Sequence, residues 1–175
     1  MFTHPRNNLE QFGVSQGQVV ADLGAGSGFY SVEAARMVAP MGRVYAIDIQ
    51  KGLLTRLQKE ARTNKVENIE ILVGDFEKLG GTKLRDASVD RVIVSNILFM
   101  IEHKKDFVYE IKRVLKPGGR VLFVDWSASY GNMGPHADSV VYKDDAVKLF
   151  TSVGFQLDKE IEAGDYHYGI IFRKL

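Results

Sequence analysis

Glycines and aspartates at fixed spacing carry the chemistry most legible in this chain. The run Asp22-Leu23-Gly24-Ala25-Gly26-Ser27-Gly28 follows directly on the apolar stretch Val19-Val20-Ala21, which spells a strand, a glycine turn and a helix start. Glycine permits positive φ and removes Cβ atoms from the bend. A ligand can then lie against the backbone where the next helix presents its unpaired N–H groups. Asp48 closes a second apolar run, Arg43-Val44-Tyr45-Ala46-Ile47-Asp48, about 20 residues further on, where an acid is expected to hold ribose hydroxyls. Gly24, Ala25, Gly26, Gly28, Asp48 and the adjoining Ile49 are therefore read as parts of one nucleoside site.

The spacing of the glycines bears on which nucleoside is bound. A dinucleotide fingerprint, GxGxxG, needs glycine at 24, 26 and 29, yet position 29 is Phe and the third glycine stands at 28. Asp22 would repel a pyrophosphate at ~4 Å by roughly 4 kcal/mol per charge pair at an effective dielectric near 20. A cationic ligand is favoured instead, and S-adenosylmethionine meets that requirement with ribose hydroxyls, no phosphate, a sulfonium and an ammonium group. The sequence resembles the class I S-adenosylmethionine-dependent methyltransferases through Val19 to Gly28, Asp48, Gly74-Asp75-Phe76 and Leu115-Lys116-Pro117-Gly118-Gly119, over nearly the whole chain. The resemblance implies that Asp75 contacts the adenine amino group, that Phe76 packs on the base, and that Asp22, Gly74 and Asn96 complete the cofactor site.

Methyl transfer is an in-line displacement at an activated electrophile, so the protein mainly aligns a nucleophile and excludes water. A general base is needed only for a protonated oxygen or nitrogen nucleophile. His136 is the preferred candidate base by its pKa range, and Asp125 is the alternative or its orienting partner. His103, at a helix start, and His167, in a strand pattern, are assigned structural roles. Tyr30, Phe99 and Trp126 are expected to hold a small, partly apolar acceptor. Asn96 is followed by Ile97-Leu98-Phe99 rather than by two prolines and an aromatic, which argues against amino-methylation of nucleobases or glutamine. No cluster of acids suggests a divalent metal, and the absence of cysteine excludes thiol-based arsenic chemistry. What remains resembles the small-molecule, quinone-biosynthesis-type branch. The alternatives are an RNA or protein methyltransferase, a non-catalytic cofactor-binding subunit, and, less favoured, an NAD-dependent oxidoreductase.

The elements that must position these residues alternate. Apolar strand candidates fall at 18–23, 43–49, 69–74, 89–96, 119–125, 154–162 and 167–173. Helical faces are marked by Leu53, Leu54, Leu57 and Ala61, by Phe107, Val108, Ile111, Val114 and Leu115, and by Ala146, Val147, Phe150 and Val153. Near-continuous apolar strands separated by helices imply a doubly wound α/β fold with a seven-stranded, mostly parallel sheet. Only Ala163-Gly164-Asp165-Tyr166 joins the last two strands, so they must form an antiparallel hairpin. Trp126 to Tyr142 is expected to be the only long irregular stretch. The 175 residues, 45% of them hydrophobic, suit one domain, with a helical segment in 1–17 packing near the cofactor. A net charge of +1 offers no general attraction to nucleic acid or anionic membrane. Without a signal peptide or an apolar span, a cytoplasmic location is expected.

Overall fold

The computed structural model describes residues 4–175; Met1 to Thr3, included in the expected N-terminal segment, lie outside the described residues. Five helices are described, α1 (Pro5–Phe12), α2 (Phe29–Val38), α3 (Lys51–Thr63), α4 (Lys104–Val114) and α5 (Lys143–Ser152), with a 3-10 turn at Leu98–Met100. The strands are β1 (Val19–Leu23), β2 (Arg43–Asp48), β3 (Ile69–Val73), β4 (Val89–Ser95), β5 (Leu115–Trp126), β6 (Phe155–Ile161) and β7 (His167–Lys174).

The strands form one sheet in the order β3-β2-β1-β4-β5-β7-β6. All pairs are parallel except those of β7, which runs antiparallel to both β5 and β6. The expected hairpin is present, with its second strand inserted between β5 and β6. Both faces are covered, as parallel strands require. On one face Phe107 and Ile111 of α4 and Phe150 of α5 pack on Val92, Val121 and Phe123; on the other Leu9 and Phe12 of α1 and Ala34 and Val38 of α2 pack on Val20, Ile93 and Leu122. Strand order reverses between β1 and β4, so their carboxyl ends open a crevice where ligands bind in such sheets.

Two local expectations are corrected. Leu115 does not close the α4 face but begins β5. The register there jumps from Val89–Leu115 to Arg91–Arg120, so the Lys116-Pro117-Gly118-Gly119 turn bulges out of a strand rather than preceding one. The chain between β3 and β4, 74–88, carries no helix or strand and is a second long irregular stretch. A buried carboxylate replaces the missing secondary structure. Glu110 of α4 is fully buried and accepts hydrogen bonds from Gly80 N–H (2.8 Å), Thr82 N–H (3.2 Å) and the Thr82 hydroxyl (2.5 Å), while Arg113 donates to it at 2.7 Å.

These donors hold the Glu110 carboxyl down to about 2 despite its burial. Glu110→Ala would leave Thr82 and Gly80 N–H without their acceptor, while Arg113 keeps Asp86 and the Leu84 carbonyl, so a loss of about 1–3 kcal/mol is expected. Because the folded value lies below the ordinary 4.5, the carboxylate's contribution is present above pH 4.5 and is lost as the pH falls toward 2. Denaturant midpoints of wild type and Glu110→Ala between pH 3 and 7 check both points. The gap between the two proteins is expected to narrow at the acid end.

Candidate functional site

The turn after β1 is fixed from β2. Gly24 and Ala25 N–H both donate to the Ile47 carbonyl (2.9 and 3.1 Å), and Gly26 N–H donates to Asp48 Oδ2 at 3.0 Å. The other oxygen, Asp48 Oδ1, accepts from Gln50 N–H at 2.8 Å, which starts α3. Asp48 thus organises the turn as well as facing the crevice, and each of its oxygens keeps further acceptor capacity.

The three glycines of the turn serve different purposes. A Cβ on Gly24 would meet Ile97 at 2.7 Å, and one on Gly28 would meet Leu57 at 2.6 Å. Gly28, at φ +94, thus also lets α2 start against α3, and it lies outside the walls of the two cavities described below. Gly26, at φ +55, has only the Gly24 carbonyl oxygen near such a Cβ, at 3.9 Å, and faces open space. Gly74 closes a contact of its own, since a Cβ there would come 2.6 Å from the Gly81 carbonyl.

Two cavities meet at Gly24. The smaller, about 170 Å³, is walled by Asp48, Ile49, Asp75, Phe76 and Met100 among others. The larger, about 420 Å³, is walled by Asp22, Ala25, Gly26, Tyr30, Ser95 and Asn96, with Pro5 of α1 and Phe29 at its rim. The structure therefore brings together Asp22, Gly24, Ala25, Gly26, Asp48, Ile49, Asp75, Phe76, Asn96 and Tyr30. Gln50, Ile97, Met100 and Ile101 in the smaller wall escape the motif reading. Their signal is position alone, immediately after a motif aspartate or in the turn beyond β4.

Electrostatically the two cavities differ. Asp75 lies in the smaller one, beside Lys78 at 2.8 Å, whose ammonium holds its carboxyl below the ordinary range. In the larger, Asp22 is 3% exposed and accepts from the Ser31 hydroxyl at 2.6 Å. Burial, with the Asp48 charge added, pushes its carboxyl up to about 7. Asn96 stands at φ +58 with its buried Oδ1 lacking any hydrogen-bond partner. The polar groups presented by Asp22 and Asn96 are thus acceptors without a full set of donors, which fits a ligand that brings positive charge and N–H bonds.

The expected catalytic pair is not assembled. Asp125 is 1% exposed and its oxygens accept from Leu98 N–H (3.2 Å) and Trp126 N–H (2.8 Å), with burial pushing the carboxyl up to about 7. It anchors the 3-10 turn and the end of β5. His136 sits exposed on the loop that follows, outside the walls of both cavities. Within that loop Gly134 lies so close on Trp126 that a Cβ would come 2.6 Å from the indole, and Pro135 is buried while His136 is exposed. Phe99, in the 3-10 turn, and Trp126 are half-buried and also lie outside the two walls. Among the described residues no group of histidines and acids could hold a metal ion, and no helix is long and apolar enough to cross a membrane.

Comparison with known proteins agrees with this geometry. A family model described as a methyltransferase domain matches residues 14–162. Arsenite methyltransferase of Halobacterium salinarum is 34% identical over 113 residues, covering 64% of this chain and 28% of that protein. The ubiquinone/menaquinone biosynthesis C-methyltransferase UbiE of Pseudomonas fluorescens is 33% identical over 124 residues, covering 70% of this chain and 47% of that protein. The chain thus spans less than half the length of these two relatives. Among solved structures, a SAM-dependent methyltransferase from Aquifex aeolicus superposes with a TM-score of 0.90 at 26% identity, covering 99% of this chain and 91% of that one.

Proposed function

The chain belongs to the class I S-adenosylmethionine-dependent methyltransferases, and from that premise we propose that it methylates a small, partly apolar acceptor in the larger cavity. The observation that carries the reading is the pairing of two unlike cavities across Gly24, one with the acids and apolar side chains that suit adenosine, the other lined by the Asp22 carboxylate and the unpartnered Asn96 Oδ1. The bound cofactor supplies an activated methyl group on a sulfonium. Asp48 accepts the ribose hydroxyls, Asp75 the adenine amino group, and Phe76 with Ile49 and Met100 encloses the base. Asp22 and Asn96 accept from the ammonium end. Tyr30, Ser95, Phe29 and Pro5 then bound the space left for the acceptor and exclude water from it. No histidine stands in that wall, so the reading favours an acceptor whose nucleophile needs no base from the larger cavity. His136 would serve as one only if its loop moved inward.

The charge of Asp22 sets a pH dependence. A cation beside it favours the ionised carboxylate, so below the value of about 7 in the free protein binding must release a proton. Affinity for S-adenosylmethionine is then expected to rise up to roughly tenfold per pH unit below that value and to level off above it. Calorimetry at pH 6, 7 and 8 checks this; in Asp22→Asn the dependence should vanish and the affinity fall.

Transfer itself is tested by supplying S-adenosylmethionine labelled in its methyl group with small phenols, quinols and amines in parallel with RNA and a mixed protein substrate. Label is expected in a small molecule. Label in RNA or protein alone would overturn the acceptor class, and cofactor binding without label in any of them would support a non-catalytic subunit.

A further inference from the structure

Trp126 and His167 are the last cross-strand pair of β5 and β7, with ring centroids 4.4 Å apart. His167 is only 8% exposed, and neither Nδ1 nor Nε2 has a hydrogen-bond partner. Burial holds the imidazole below its ordinary range, so the ring is neutral at pH 7, with one nitrogen a donor and the other an acceptor. Buried polar groups left unsatisfied on both sides are rare and costly. Packing does not demand them here, since a phenyl ring would stack on the indole as well.

The ring stands on the sheet face that also bounds the larger cavity. Ser95 is in register with Val124, and Val124 with Gly169; two residues further along, the alternation of side chains brings Trp126 and His167 to the same face. Two strand spacings and two residues place His167 on the order of 12 Å from Ser95, a span that a molecule of one or two rings covers. Tyr130, 6.3 Å from Trp126 and edge-on to Tyr166 at 4.8 Å, continues the aromatic wall.

We propose that His167 is an acceptor-binding residue, giving and receiving hydrogen bonds with a hydroxyl or amine carried on a planar ring that lies along Trp126 and Tyr130. The inference rests on the methyltransferase reading and extends its acceptor site from Ser95 and Asn96 across the carboxyl end of the sheet. The acceptor's protic group completes the bonds that the folded chain leaves open at His167. A planar ring with one or two protic substituents is the class of acceptor that this arrangement selects.

The test uses the full chain saturated with S-adenosylhomocysteine and titrated with hydroquinone, a flat ring with two hydroxyls, with benzene as the apolar control. The imidazole ¹⁵N resonances of His167 are expected to move with hydroquinone and to stay in place with benzene. His167→Phe is expected to raise the thermal midpoint, because it removes two unsatisfied groups, and to weaken hydroquinone binding roughly tenfold or more. Affinity for S-adenosylhomocysteine should be unchanged, and His167→Gln should recover part of the hydroquinone binding. Unmoved resonances at saturating hydroquinone, or equal hydroquinone binding by His167→Phe and wild type, would overturn the proposal; the ¹⁵N titration decides the matter alone if the variants do not fold. Failure of S-adenosylhomocysteine itself to bind would overturn the methyltransferase reading instead, so the two failures are distinguishable.

Discussion

Asp48→Ala is expected to weaken S-adenosylhomocysteine binding by roughly ten- to 150-fold, as follows from the 1.5–3 kcal/mol typical of a hydrogen bond to a charged group. The carboxylate is 6% exposed and forms part of the smaller cavity's wall. It also accepts from Gly26 and Gln50 N–H, so its removal loosens the turn as well as the ribose contact. Asp48→Asn separates the two effects. Its amide oxygen can take one of the two backbone bonds, so the turn is better preserved, while the charge that strengthens the ribose contacts is gone. Calorimetry on both variants, with circular dichroism to confirm folding, makes the measurement. Unchanged affinity in folded Asp48→Ala would remove this residue from the cofactor site.

Gly26→Val should act more severely, by about 10²-fold or more. Two costs combine: a β-branched residue held at positive φ is strained, and its side chain fills the space over the turn where the ligand must approach. At Gly26 nothing but the Gly24 carbonyl lies within 4 Å of the added Cβ, so the substitution meets no neighbouring side chain and the sheet is expected to persist. Gly28→Val is the contrasting variant. Its Cβ would strike Leu57 at 2.6 Å, so it should destabilise the α2–α3 contact. Normal binding by Gly26→Val would show the turn to be structural only.

The readable parts of this fold and site are those fixed by short stretches of chain. The strand–turn–helix at Val19 to Tyr30 and the aspartate ending β2 are local patterns, and parallel pairing of Leu23 with Ile47 brings them together without further information. Alternating apolar runs placed the strands to within a few residues, and a four-residue connection dictated the antiparallel hairpin. What escaped reading depends on distant partners. The close fit of Gly28 against the side chain of Leu57, 29 positions away, is one case. The order of 74–88 rests on Glu110, a residue that in sequence looks like one more charge on a helix. His136 stands in a loop rich in polar residues that suggests a catalytic edge, but the folded loop leaves it exposed and outside both cavity walls. His167 shows no polar partner only once the strands are assembled, and nothing in its neighbourhood in the chain marks it.

The crevice at β1 and β4 is expected to take a cationic, phosphate-free adenosine ligand. Titration calorimetry of the wild-type chain with S-adenosylmethionine and with NAD at pH 8 tests it most directly, because Asp22 is then ionised and discriminates between the two by charge. One equivalent of S-adenosylmethionine is expected to bind per chain, with no detectable binding of NAD. Binding of NAD in preference to S-adenosylmethionine would show the crevice to be a dinucleotide site instead.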